Sequence, residues 1–269
     1  VAVAVAPAKE FIGCVLELGC VRLLHYMGSS GHIADLLSRC FAAGIGLVAD
    51  GEGNVLAYVG EEAEVAPTAQ VLVRASTRYS GQTCTSINGV VAHPAVYEGL
   101  RDLVQSELAS LRCGDPRAED VKVGPLFEVA QVRSCLERME HSEGHILVGG
   151  RAEGTLLLPS LVDRPNPACD LVREGLFGPA LWIMPGDAGV FREIWQLNRY
   201  PLAAAVFGRS DWAPTLPNLA RLTVDGDPSF EYGHAPWGGY PSAGVNPVGP
   251  WIDKYLRAVQ VDRPAREAL

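Results

Sequence analysis

Short apolar runs alternate with amphipathic helical patterns along most of this chain, and that alternation is what most narrows its fold. Ile87-Asn88-Gly89-Val90-Val91-Ala92 reads as a strand. Over residues 97–111 the apolar positions are Tyr97, Leu100, Leu103, Val104, Leu108 and Leu111, a helical spacing that makes one apolar face. Residues 129–139 and 188–197 repeat that helical pattern. Helices that lie between strands and cover one face of them make a parallel sheet, so the fold class predicted is α/β with a parallel sheet. No internal repeat or low-complexity tract interrupts the pattern.

The N-terminal part follows the same rule. Residues 1–5, Val-Ala-Val-Ala-Val, read as a strand by their branched side chains, and residues 7–18 as an amphipathic helix. Residues 21–27 read as a second strand that ends at Gly28-Ser29-Ser30-Gly31, ahead of a helix over residues 33–43. Small residues at a helix start leave backbone N–H groups free to meet an anion. The alternative is a plain cap, with Ser29 or Ser30 satisfying the first turn. No complete Gly-x-Gly-x-x-Gly is present; Gly51-Glu52-Gly53 is a short glycine turn after a strand. Glu61, Glu62 and Glu64 form an acidic cluster ahead of Pro67, read as a solvated loop leading into a helix.

Composition limits the function classes. A formal net charge of −9, with scattered basic residues, argues against nucleic acid or an anionic membrane surface as partner. At 48% hydrophobic the chain is no disordered segment, and no apolar run is long enough to span a membrane. The first residues lack the basic and apolar regions of a signal peptide. The 7 cysteines are an odd number without CxxC spacing, and His93, His141 and His145 show no ligand spacing with them. A reduced, cytoplasmic protein without a metal is expected.

One cysteine stands apart. Cys84 lies in Tyr79-Ser80-Gly81-Gln82-Thr83-Cys84-Thr85-Ser86, among small and polar residues, whereas Cys14, Cys20 and Cys40 sit in apolar runs. A thiol attacks as thiolate and needs access and nearby dipoles, so Cys84 is the candidate nucleophile; a structural cysteine is the alternative.

Gly81-Gln82-Thr83-Cys84 resembles the cysteine motif of the aldehyde dehydrogenase superfamily. Further blocks follow in that family's order: Val90-Val91-Ala92-His93-Pro94, Cys113-Gly114-Asp115-Pro116, Val123-Gly124-Pro125-Leu126, Val148-Gly149-Gly150 and Pro159-Ser160-Leu161-Val162. Then come Glu174-Gly175-Leu176-Phe177-Gly178-Pro179, Asn198-Arg199-Tyr200-Pro201-Leu202-Ala203-Ala204-Ala205-Val206-Phe207, Pro236-Trp237-Gly238-Gly239 and Ser242-Ala243-Gly244. The likeness runs from about Leu23 to the C-terminus.

The resemblance implies an aldehyde dehydrogenase-like catalytic domain joined to a reduced remnant of the Rossmann-type cofactor domain. Members are nearly twice as long, and the portion without a counterpart here supplies much of the dinucleotide domain, an oxyanion-hole asparagine and two strands of the oligomerisation arm. The implied division is 1–63 for the cofactor-domain remnant, 64–250 for the catalytic domain and 251–269 for a C-terminal oligomerisation strand. Residues 255–262 alternate as a half-exposed strand does, and an edge left without companions points to a homodimer.

By the same resemblance the catalytic candidates are Cys84 and Gln82, with Asp50 in place of the water-activating glutamate and Glu52 two residues on; either carboxylate is also an ordinary turn residue. Gly28, Ser29 and Phe177 would border an NAD or NADP cofactor, and Phe230, Tyr232, His234 and Trp237 the substrate funnel. The residue that would hold the nicotinamide ribose is Gly175, which cannot accept its hydroxyl hydrogen bonds. With the altered base and the shortened cofactor portion, this weighs against classical NAD(P)-dependent oxidation. The expected activity is cysteine attack on an aldehyde or thioester carbonyl. The alternatives are cofactor-independent cyclisation, condensation or acyl transfer, and a non-catalytic scaffold.

Overall fold

The computed structural model describes residues 3–208, 211–219 and 221–229. Phe230, Tyr232, His234 and Trp237, and the C-terminal strand expected over 255–262, lie outside the described residues.

Helix α1 (Ala8–Glu17), strand β1 (Leu23–Met27), helix α2 (Ile33–Ala42) and strand β2 (Gly46–Asp50) come first. β1 and β2 pair in parallel as a two-stranded sheet, with Leu36, Cys40 and Ile45 at the centre of a small apolar cluster. The strand expected over residues 1–5 is absent from the described part of that segment. Residues 3–7 carry no regular structure and are exposed, because branched residues alone do not make a strand without a neighbour to hydrogen-bond.

The larger unit begins with β3 (Val55–Val59), α3 (Val65–Thr77), β4 (Ile87–Ala92), α4 (Pro94–Ser110) and α5 (Val129–Glu140). It continues through β5 (His145–Val148), a hairpin of β6 (Ala152–Glu153) and β7 (Leu156–Leu157), β8 (Ser160–Asp163), α6 (Asp170–Arg173), β9 (Ala180–Pro185), α7 (Ala188–Leu197), β10 (Ala203–Phe207) and β11 (Arg221–Val224). Seven strands form one sheet in the order β11-β10-β3-β4-β9-β8-β5; every pairing in it is parallel except β5 with β8. The two sheets part between Asp50 and Val55, ahead of the segment near residue 63 where the sequence suggests a division.

A parallel sheet is buried on both faces, so its strands read as continuous apolar runs. β3 and β4 are buried along their whole lengths. One face packs Leu56, Tyr58, Trp182, Phe191 and Trp195, and the other packs Val55, Ala57, Leu72, Tyr97, Leu100 and Val104. The predicted apolar face of residues 97–111 covers that second layer as α4 through Tyr97, Leu100, Val104 and Leu108, whereas Leu103, expected on the same face, turns away from the stripe and is exposed. Gly89 pairs with Trp182 in register, and a β-carbon on it would stand 1.9 Å from the indole. The glycine gives the buried tryptophan its space.

Candidate active site

Parallel strands bring their starting ends to one side of a sheet. β10, β3, β4 and β9 are neighbours, so the segments just before them, 198–202, 51–54, 81–86 and 174–179, meet at one end. Three buried asparagines tie these segments together. Asn54 Nδ2 donates to Val172 O at 2.9 Å, Asn198 Nδ2 to Asn54 O at 2.8 Å, and Leu176 N–H to Asn88 Oδ1 at 2.7 Å. Each satisfies backbone groups that would otherwise be orphaned in the interior.

Cys84 sits in the turn before β4 and is half-buried. Gly53 lies behind it: a β-carbon there would be 2.1 Å from the Cys84 carbonyl oxygen. Tyr79, Ser80 and Gly81, with φ of 52°, 57° and 68°, make three left-handed residues in succession ahead of this turn. Such backbone costs on the order of 1–3 kcal/mol for each non-glycine residue and persists where surrounding contacts impose it. Those contacts are visible. Gly124 N–H donates to Ser80 Oγ at 2.9 Å, and a β-carbon on Gly81 would stand 2.1 Å from Gly178 O. Gln82 Oε1 accepts from Phe127 N–H at 3.2 Å and from Gln131 Nε2 at 3.4 Å, while Gln131 Nε2 also donates to Phe177 O at 2.6 Å. Thr83 and Ser86 share a hydroxyl hydrogen bond of 2.7 Å across the turn.

The other half-buried and buried cysteines are poor thiolates. Burial pushes the thiols of Cys40, Cys113 and Cys169 up, and that of Cys135 to about 11.

A cavity of about 220 Å³ adjoins the Cys84 turn, lined among others by Glu52, Gly53, Gln131, Arg138, Phe177 and Tyr200. Cys84 itself does not line it. Glu174 ion-pairs there with Arg138 at 2.8 Å and with Arg199, and Arg138 also donates to Gly175 O at 2.9 Å. Burial raises the Tyr200 hydroxyl above its ordinary value, reinforced by the Glu52 and Glu174 carboxylates.

The sequence-predicted residues divide into two groups. Gln82 lies in the Cys84 turn, and Glu52 and Phe177 face the adjoining cavity. Asp50, by contrast, is buried at the end of β2 with Oδ2 held 2.5 Å from His25 Nε2. Ser29 Oγ accepts the Gly31 N–H at 3.4 Å as a cap, and Gly28 N–H donates to Asp50 O. Ser30 N–H donates to Glu52 Oε2 at 3.0 Å. Burial alone would raise the Glu52 carboxyl, but the hydrogen bonds from Ser30 and Ser29 leave it below the usual carboxylate range. Sequence reasoning missed Ser80, Asn54, Asn88, Gln131 and Arg138. The signal at Asn54 and Asn88 is an isolated amide at or next to the start of an apolar strand.

Among the described residues no group of three or more His, Cys, Asp or Glu side chains is placed to hold a metal, and no helix is long and apolar enough to cross a membrane.

The model of the aldehyde dehydrogenase family matches residues 2–256. A sulfoacetaldehyde dehydrogenase of Neptuniibacter caesariensis is 28% identical over 69% of this chain and 42% of its own length. A benzaldehyde dehydrogenase of Bacillus subtilis is 30% identical over 51% of this chain and 29% of its own. The chain thus spans about half the length, or less, of these relatives. Among solved structures, an NADP-dependent enzyme of E. coli superposes with a TM-score of 0.86 at 20% identity, over 94% of this chain and 55% of that one. A 1-pyrroline-5-carboxylate dehydrogenase from Thermus with bound NAD gives 0.82 at 21% identity, over 91% and 51%. At these identities the superpositions establish the shared fold.

Proposed function

Since this chain belongs to the aldehyde dehydrogenase family, we propose that it acts on an aldehyde or thioester carbonyl through the thiol of Cys84. The observation that carries this reading is the placement of Cys84, half-buried in the turn that follows a strained left-handed run, where four parallel strands begin. The thiolate would add to the carbonyl carbon, forming a C–S bond while the π electrons move to oxygen. With an aldehyde, that oxygen takes a proton and a thiohemiacetal results. With a thioester, the tetrahedral adduct expels the departing thiolate and leaves the acyl group on Cys84. Asp50, engaged with His25, is the weaker choice for a base, and Glu52 faces the cavity beside the turn.

The fit of NAD or NADP turns on two positions. The N–H of Ser30, at the helix start where an anion would be received, already meets the Glu52 carboxylate. Gly175 has φ of 72°, and a β-carbon there would stand 2.7 Å from Asn54 Oδ1 and 2.8 Å from Asn88 Cγ. A ribose-binding carboxylate has no room at that position. These two positions are the support for carbonyl addition or acyl transfer without a hydride acceptor as the chemistry of the residues described. We further propose a homodimer and a cytoplasmic setting, on the grounds already given from sequence.

The test is mass-mapped alkylation of the purified chain beside Cys84→Ala, with and without an aldehyde. Aldehyde-protectable labelling of Cys84, and loss of carbonyl chemistry in the variant, is expected. Uniform labelling of all accessible cysteines, with no protection, favours the scaffold.

A further inference from the structure

We propose that Ser80 is a positioning residue for Cys84, a role that rests on the nucleophile reading above. Ser80 is buried and left-handed, with φ of 57° and ψ of 33°, between the equally left-handed Tyr79 and Gly81. Serine gains nothing intrinsic from that conformation, which glycine and asparagine tolerate better. The side chain supplies the reason: Oγ accepts the Gly124 N–H across 44 residues of sequence, at 2.9 Å in a buried setting. A glycine at position 80 would relieve the backbone but give up that bond.

The consequence falls on the turn that follows. Tyr79 is largely exposed, so packing of its ring does not hold the run. Its carbonyl accepts the Gln82 N–H at 3.1 Å, which passes the direction of the run directly to the residues before Cys84. The 123–127 segment therefore grips the nucleophile turn twice, through Ser80 from Gly124 and through Gln82 from Phe127. Loosening the first grip leaves Cys84 in place but widens its range of orientations, and attack geometry tolerates little misplacement.

The experiment measures the rate of iodoacetamide alkylation at Cys84 against pH, by peptide mass mapping because Cys14 and Cys20 are exposed and would react as well. The wild-type chain, Ser80→Gly and Ser80→Ala are compared, with propionaldehyde protection and thermal melting of each. Both variants should show aldehyde protection weakened roughly tenfold and a lowered alkylation plateau, with the inflection pH unchanged. Their melting temperatures should differ, since only Ser80→Gly relieves the backbone. Wild-type protection in both variants overturns the proposal, and so does loss confined to the less stable variant, which marks a purely structural role. If Ser80→Ala fails to fold, Ser80→Gly decides alone. If wild-type Cys84 shows no aldehyde protection, the nucleophile reading itself fails and the Ser80 role falls with it.

Discussion

The carbonyl oxygen of Cys84 lies 2.1 Å from where a β-carbon at position 53 would stand, so these two residues touch through backbone alone. Gly53→Ala must push the Cys84 turn outward or move the start of β3. Thiol reactivity at Cys84 is expected to fall by roughly one to two orders of magnitude. Mapped alkylation kinetics check this, and a wild-type rate would show that the turn adapts freely.

Gly175→Glu introduces the carboxylate that the family resemblance would expect at this position, yet its β-carbon would meet Asn54 and Asn88 at a φ of 72°. The substitution is expected to cost about 2 kcal/mol or more in stability. Calorimetric titration should show no gain in affinity for NAD or NADP.

Asn88 Oδ1 receives the buried Leu176 N–H. Asn88→Ala leaves that donor unpaired, at a cost of about 1–3 kcal/mol. Urea unfolding measures the loss, and hydrogen exchange at Leu176 should accelerate.

The Glu52 carboxyl is depressed by its hydrogen bonds at the start of the helical turn. A depressed acid stabilises the fold above its unfolded value near 4.5 and loses that contribution as pH falls through the folded value. Glu52→Ala should therefore be less stable than wild type at pH 7, by about 0.5–1 kcal/mol, and the difference should shrink in acid. An unchanged difference from pH 7 to strong acid would contradict it.

Tyr97 is raised to about 12, chiefly by burial and then by its hydrogen bond to Asp163. A raised phenol contributes stability that is complete below its unfolded value of 10.0 and fades as pH rises through about 12. Tyr97→Phe should lack this alkaline loss. At neutral pH it should start about 1–3 kcal/mol lower, because Asp163 keeps its burial without its donor. Melting curves between pH 8 and pH 11 distinguish the two.

Local pattern carried much of the fold. The periodicity over 97–111 reflects a face that α4 buries at Tyr97, Leu100, Val104 and Leu108 but not at Leu103, and residues 188–197 coincide with α7 because Asp187 caps the helix start and the apolar spacing fills its length. The Val-Ala alternation at residues 1–5 misled because a strand needs a partner that composition does not reveal. Within the candidate site, the half-buried setting of Cys84 agrees with its polar neighbours in sequence. Ser80 was not legible there, since its left-handed backbone depends on Gly124, 44 residues away. The carboxylate at Glu52 was visible, but its engagement with Ser30 requires two separate turns to meet.

The three asparagine bonds that close the site join residues 118, 144 and 88 positions apart. Loops of that span close late, because chain entropy must be overcome before such distant contacts reward it. A partly folded chain with its helices and its first strand pairs formed would still hold an unaimed thiol. The end of the sheet where β10, β3, β4 and β9 begin, and with it the Cys84 turn, is therefore expected to be among the last parts of the fold to settle.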